Sequence, residues 1–151
     1  MKYRTRWFLF LVLISALAGP AQSPAPSLQP QAFVGTWKAE FHKQTWLTLT
    51  LVESKGSLAG TLTYSTEISS DDEGDITKVG DEMSTDKIVR TELQGETLLI
   101  TGKDEDGNED QYKFVLTGKD SADLQPVTTE GTTAPKAFKL KRSVPPPPPQ
   151  K

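Results

Sequence analysis

GTWKAEFHKQTWLTLTLVESKGSLAGTLTY, residues 35–64, reads as strand, turn, strand, turn, strand. Leu47, Leu49 and Leu51 alternate with Thr48 and Thr50, a period of two that puts apolar side chains on one face of a pleated ribbon and polar ones on the other. An α-helix has no use for that spacing, because residues two apart point to opposite sides of it. Antiparallel strands of this kind must bury their leucine face, and closing the sheet on itself does so without leaving an edge. The fold class expected is therefore all-β, an eight-stranded antiparallel up-and-down (meander) barrel.

Eight strands follow from the same pattern: 34–42, 45–53, 58–66, 87–93, 97–103, 111–117, 122–128 and 136–142. Lys55-Gly56, Gln94-Gly95, Asp106-Gly107-Asn108 and Gly118-Lys119-Asp120 separate them with residues that tolerate positive φ. Inward faces are read as Trp37, Ala39 and Phe41, then Leu47, Leu49 and Leu51, then Leu58, Leu62 and Tyr64. Leu98 with Ile100, Tyr112 with Phe114 and Leu116, and Phe138 with Leu140 continue the series, while Lys139 and Lys141 mark a wet outer face. In the fourth strand two facings stay open, Ile88 with Arg90 or Val89 with Leu93. Trp46 alternates against the leucines of its own strand and is expected outside. The acidic stretch 67–85 carries too few apolar residues to pack and reads as a long mobile loop, although loops at a barrel mouth are where binding surfaces tend to sit.

Residues 1–21 have the layout of a secretory signal peptide. Lys2, Arg4 and Arg6 precede an apolar run of twelve residues from Trp7 to Ala18, and Ala16-Leu17-Ala18 offers a cleavage site after Ala18 or Ala21. The run is shorter than the roughly 20 residues a spanning helix needs, so no membrane span is expected after cleavage. Losing the three basic residues takes the formal charge from −3 to −6. An acidic chain with no basic stripe is a poor nucleic-acid partner. No cysteine is present, which removes disulfides, thiol chemistry and cysteine-held metals, and in an exported chain points to a secreted or periplasmic bacterial protein. Residues 22–32 read as a Pro/Ala/Ser/Gln linker, 33–143 as the barrel domain and 144–151 as a polyproline tail.

The Gly35-Thr36-Trp37 start, the alternating second strand and Gly56-Ser57-Leu58-Ala59-Gly60-Thr61-Leu62 resemble the opening of the calycin barrels, the lipocalins and especially the avidin-like proteins. The resemblance implies a tryptophan, here Trp37, laid across one end of the barrel beneath a basic residue of the last strand, here Arg142. The match covers about 30 residues well and the rest only as strand count. Avidin-like proteins hold biotin with later tryptophans, and none follows Trp46 here, so biotin is not the expected ligand.

Candidate chemistry is sparse. His42 is the sole histidine and falls in a turn, which excludes metal sites built on two or three imidazoles; a single-histidine triad is formally open, but no Gly-x-Ser-x-Gly elbow or other identifiable nucleophile accompanies it, and no enzyme is expected. Asp104, Asp106 and Asp110 crowd one hairpin and make a weak calcium candidate, but Gly107 is fourth in the run where the helix-loop-helix calcium site wants its glycine sixth. No cofactor is implied. Tyr64, Tyr112 and Trp46 are the candidate ligand contacts, each an apolar ring with a polar handle. The expected function is an exported, non-enzymatic barrel binding a small apolar or amphipathic ligand or an envelope partner through one open end. The competing expectation is a filled-barrel structural or interaction module with no ligand. A void of about 300 Å³ or more beside Tyr64 and Tyr112 separates the two.

Overall fold

The computed structural model describes residues 28–128 and 136–143. The signal-peptide and polyproline-tail readings fall outside those residues, as does residues 22–27 of the linker. A 3-10 turn, η1 (Pro30–Phe33), leads into β1 (Gly35–Phe41), β2 (Gln44–Ser54) and β3 (Ser57–Ser65). A short hairpin follows, β4 (Ile68–Ser70) with β5 (Ile76–Val79). Then come β6 (Met83–Gln94), β7 (Thr97–Lys103), β8 (Glu109–Gly118), β9 (Ser121–Pro126) and β10 (Phe138–Ser143). Eight of the strands close a barrel in the order β1-β10-β9-β8-β7-β6-β3-β2, every pair antiparallel, so the expected all-β meander barrel is the fold. Among the described residues no helix is long and apolar enough to cross a membrane.

The leucine alternation does what a two-residue period requires: Leu47, Leu49 and Leu51 are all but inaccessible to solvent. Two one-residue bulges then redirect side chains that alternation alone cannot place. Ala39 pairs with Leu47 and Glu40 with Thr45, so Trp46 is an extra residue in β2. A bulge shifts the strand's parity, and Trp46 and Leu47 both turn inward. The expectation that Trp46 lies outside is thereby corrected: it is 2% exposed and its indole meets the Phe138 ring edge-on at 4.9 Å. In β6, Ile88 pairs with Gly102 and Arg90 with Thr101, leaving Val89 as the extra residue. Before that bulge Asp86 and Ile88 point inward, and after it Thr91 and Leu93 do, each half-buried. Neither of the two facings left open for this strand holds along its whole length.

Residues 67–85 are corrected as well. They are not one long loop: β4 and β5 pair as a hairpin, and β6 already begins at Met83. Its turn is held by Asp71, whose carboxylate accepts the backbone N–H groups of Glu73 and Asp75. Ser65, 1% exposed, donates to the Gly80 carbonyl at 2.9 Å and pins the hairpin's base to the barrel rim. Lys136 pairs with Asp75 at 2.9 Å, and Ile76 and Val79 pack on the core, so the segment is folded back over the barrel.

One end of the barrel is sealed. Phe33 and Trp37 pack on Phe114, with ring centroids 5.8 and 5.3 Å apart, and the Trp37 indole N–H donates to the Phe33 carbonyl at 3.0 Å. The Arg142 guanidinium carbon lies 4.1 Å from the Trp37 ring centroid, and its two terminal nitrogens donate to the carbonyls of Val34 and Ala32. Arg142 thus ties the last strand to the chain entering the first, satisfying carbonyls that η1 leaves without helical partners. The same turn brings Leu28 and Ala32 onto the core, so the end of the stretch that composition reads as linker is packed.

Candidate functional site

At the opposite end the barrel opens into a cup of about 270 Å³. β2 contributes Trp46 and Leu47, β3 contributes Leu62 and Tyr64, β8 contributes Tyr112, and β10 contributes Phe138. Ile68 of the folded-back hairpin, Asp110, Pro126 and Val127 form the rim. At about 270 Å³ it lies just below the roughly 300 Å³ dividing line, neither a packed interior nor a pocket of typical ligand size. Larger depressions exist: one of 460 Å³ among Lys38, Glu40, Lys139, Lys141 and Arg142 on the outer face of β1 and β10, and one of 350 Å³ between β1, β5 and β10 that shares Trp46 and Phe138 with the cup.

All three sequence-level ligand candidates, Tyr64, Tyr112 and Trp46, line this cup. Tyr64 and Tyr112 arrive there by plain alternation along β3 and β8. Trp46 arrives by the bulge, and its reasoning from parity had placed it elsewhere. Trp37 and Arg142 sit at the sealed floor. His42 lies exposed in the β1–β2 turn at φ 49° and does not line the cup.

Asp86 is the functional candidate that sequence reasoning missed. It is 1% exposed, a carboxyl on the inner face of β6 beside Leu62, and the Tyr64 hydroxyl donates to its Oδ1 at 3.3 Å. Burial pushes its pKa up, opposed by the Tyr64 hydrogen bond and reinforced by Asp110 and Asp104. Space for it comes from Gly102, where an added Cβ would stand 3.2 Å from the Asp86 Cβ and 3.3 Å from Oδ2. A glycine inside a strand that would otherwise carry an inward side chain was the available signal, together with the Ser84, Asp86, Ile88 alternation. Burial followed by the charges of nearby carboxylates also raises the tyrosines: Asp86 acts most on Tyr64, Asp110 most on Tyr112.

Asp104 serves its own turn. Both its carboxylate oxygens accept from Asn108, from the backbone N–H and the side-chain amide at 2.8 Å each, and the side-chain bond chiefly holds its pKa down. Among the described residues no group of three or more potential metal-ligating acids or histidines is gathered at one point, Asp104, Asp106 and Asp110 included.

A raised carboxyl pKa has a defined consequence for stability. The folded state holds the Asp86 proton more tightly than the unfolded chain, so stability falls as pH rises from the unfolded value near 3.8 through the folded one, and stays lower above it. Asp86→Asn removes that penalty, and at pH 7 it is expected to stabilise the ligand-free protein. The gain over wild type should shrink as pH falls through the window above 3.8, since both side chains are then neutral. The groups facing Asp86 that bear on this are Tyr64, Asp104 and Asp110. Thermal melts of the two proteins from pH 4 to 8 check it, and a variant less stable at pH 7 would contradict it.

No protein-family model matches the chain, nor does any curated protein or solved structure. Fold and site together define its class: a closed eight-stranded up-and-down barrel with one sealed and one open end.

Proposed function

We propose that the protein is an exported, non-enzymatic barrel of the calycin-like type that holds a small apolar or amphipathic molecule in the cup at its open end. The observation that carries this reading is the cup itself, four aromatic rings set around about 270 Å³ of space above a packed floor. Rings with a hydroxyl or indole N–H suit a molecule that is apolar in body and polar at one point. The sole histidine stays outside the cup, which supports holding over catalysis. Export is supported by the signal-like residues 1–21 and the absence of cysteine. The calycin-like assignment is supported by the closed meander and by Arg142 stacked on the Trp37 of Gly-x-Trp.

Titration with N-phenyl-1-naphthylamine, a neutral probe that brightens in apolar surroundings, tests the reading. A saturable rise with one probe per chain is expected. Val127 is an exposed rim residue, 41% accessible, so Val127→Trp should fold normally and block the mouth, weakening the probe about tenfold or more. Absence of saturable binding, or equal binding by the variant, would favour the filled-barrel module instead.

A further inference from the structure

We infer that the cup selects an organic cation: its occupant carries an ammonium group that rests against the aromatic rings, beside the Asp110 carboxylate and the Tyr64 hydroxyl. This rests on the reading of the cup as a ligand site and adds the charge of the ligand to it.

The lining argues for a cation first. Trp46, Tyr64, Tyr112 and Phe138 bring four aromatic rings around one small space, and aromatic rings attract a cation, most strongly where water is excluded. Asp110 is the one charged residue among the described lining residues, and it is an acid. Neither Asp110 nor Asp86 takes part in any of the described ion pairs. Lys103, at the end of β7, lies 3.7 Å from the Glu109 carboxylate. Among the described lining residues the one formal charge is therefore the Asp110 carboxylate, while Lys103 and Lys136 at the same end are engaged by Glu109 and Asp75, so the lining favours a cation over an anion.

Asp86 gives the polarity a direction. The Tyr64 hydroxyl donates inward to Asp86 and accepts from the Ser84 side chain, which leaves its oxygen one lone pair to accept from a group entering the cup. A hydroxyl already donating to a carboxylate is a better acceptor, so an ammonium N–H would complete a chain from ligand to Tyr64 to Asp86. Asp86 is thus a positioning residue acting through Tyr64, and its burial, unfavourable to the empty barrel, becomes useful once a cation arrives. A metal ion would need several oxygens at one point, and among the described residues no such set exists.

The test compares three molecules with the same ring and different charge, 2-phenylethylamine, 2-phenylethanol and phenylacetate, by calorimetry at pH 7 and low salt. The amine is expected to bind about tenfold more tightly than the alcohol, and phenylacetate the most weakly. Asp110→Asn and Asp86→Asn should each cut the amine's advantage over the alcohol several-fold, and Tyr64→Phe, with its ring retained, should weaken the amine more than the alcohol. Equal binding of amine and alcohol, while the naphthylamine probe still saturates, would overturn the charge selection and leave the ligand site standing. Loss of all binding, the naphthylamine probe included, would overturn the site itself.

Discussion

Arg142→Ala is expected to lower the stability of the barrel by about 3 kcal/mol, enough to take the melting temperature down by on the order of 10 °C in a domain of this size. Two charge-assisted hydrogen bonds to the Ala32 and Val34 carbonyls disappear, and so does the guanidinium stacked 4.1 Å above Trp37. A hydrogen bond from a charged donor contributes roughly 1.5–3 kcal/mol net and the stacked cation about 0.5–2, and the three are not additive because one side chain makes them all. Arg142→Lys keeps a charge but offers one prong where two carbonyls wait, so it should fall between wild type and the alanine variant. Denaturant unfolding at equilibrium measures both. A change below about 0.5 kcal/mol for the alanine variant would mean that the floor is closed by Phe33, Trp37 and Phe114 without help from β10.

Gly60→Ala is expected to be the most damaging single-methyl change in the chain. An added Cβ would stand 1.8 Å from the Thr50 carbonyl oxygen and 2.8 Å from its carbon, both backbone atoms of the paired strand β2. Neither can swing aside as a side chain could, so β3 must part from β2 where Gly60 pairs with Leu51, in the middle of the leucine face. Losses above about 4 kcal/mol come from such clashes in the core, a large share of a typical total of about 5–15, so the variant should melt far below wild type. The exposed neighbour Thr61→Ala is the control and should stay within about 0.5 kcal/mol of wild type. Circular dichroism and yield of soluble protein read the difference; a Gly60→Ala protein melting with wild type would show that β2 and β3 are not in this register.

Where one face of a strand is dry, the fold is legible from residues alone: Leu47, Leu49 and Leu51 in β2 and Tyr112 and Phe114 in β8 lie where a two-residue period puts them. Legibility ends at the bulges. Trp46 and Val89 are extra residues, and an extra residue reverses the parity of everything beyond it without leaving a mark that alternation can detect. That is why Trp46 was read outward and why no single facing suits β6. The hairpin of β4 and β5 was hidden by composition, since its acids look unable to pack until Asp71 is seen capping backbone N–H groups and Asp75 pairing with Lys136. Asp86 escaped for a related reason. A buried carboxyl is recognisable only from what surrounds it, here a glycine on one side and a tyrosine hydroxyl on the other.

The two ends of the barrel divide the labour. The floor carries the Arg142 and Trp37 contact, and the open end carries Asp86, a carboxyl whose pKa burial raises. Such a division predicts that Arg142 variants that remain folded keep the cup's affinity, whereas Asp86 variants gain stability and lose selectivity.

Amide and indole chemical-shift mapping by NMR during titration with 2-phenylethylamine is the most direct examination of this division. Shifts should gather at Leu47, Leu62, Tyr64, Tyr112 and Phe138 and at the indole N–H of Trp46, with the Trp37 indole and Arg142 unmoved. Shifts at the floor, or scattered over the outer strands with the Trp46 indole silent, would contradict it.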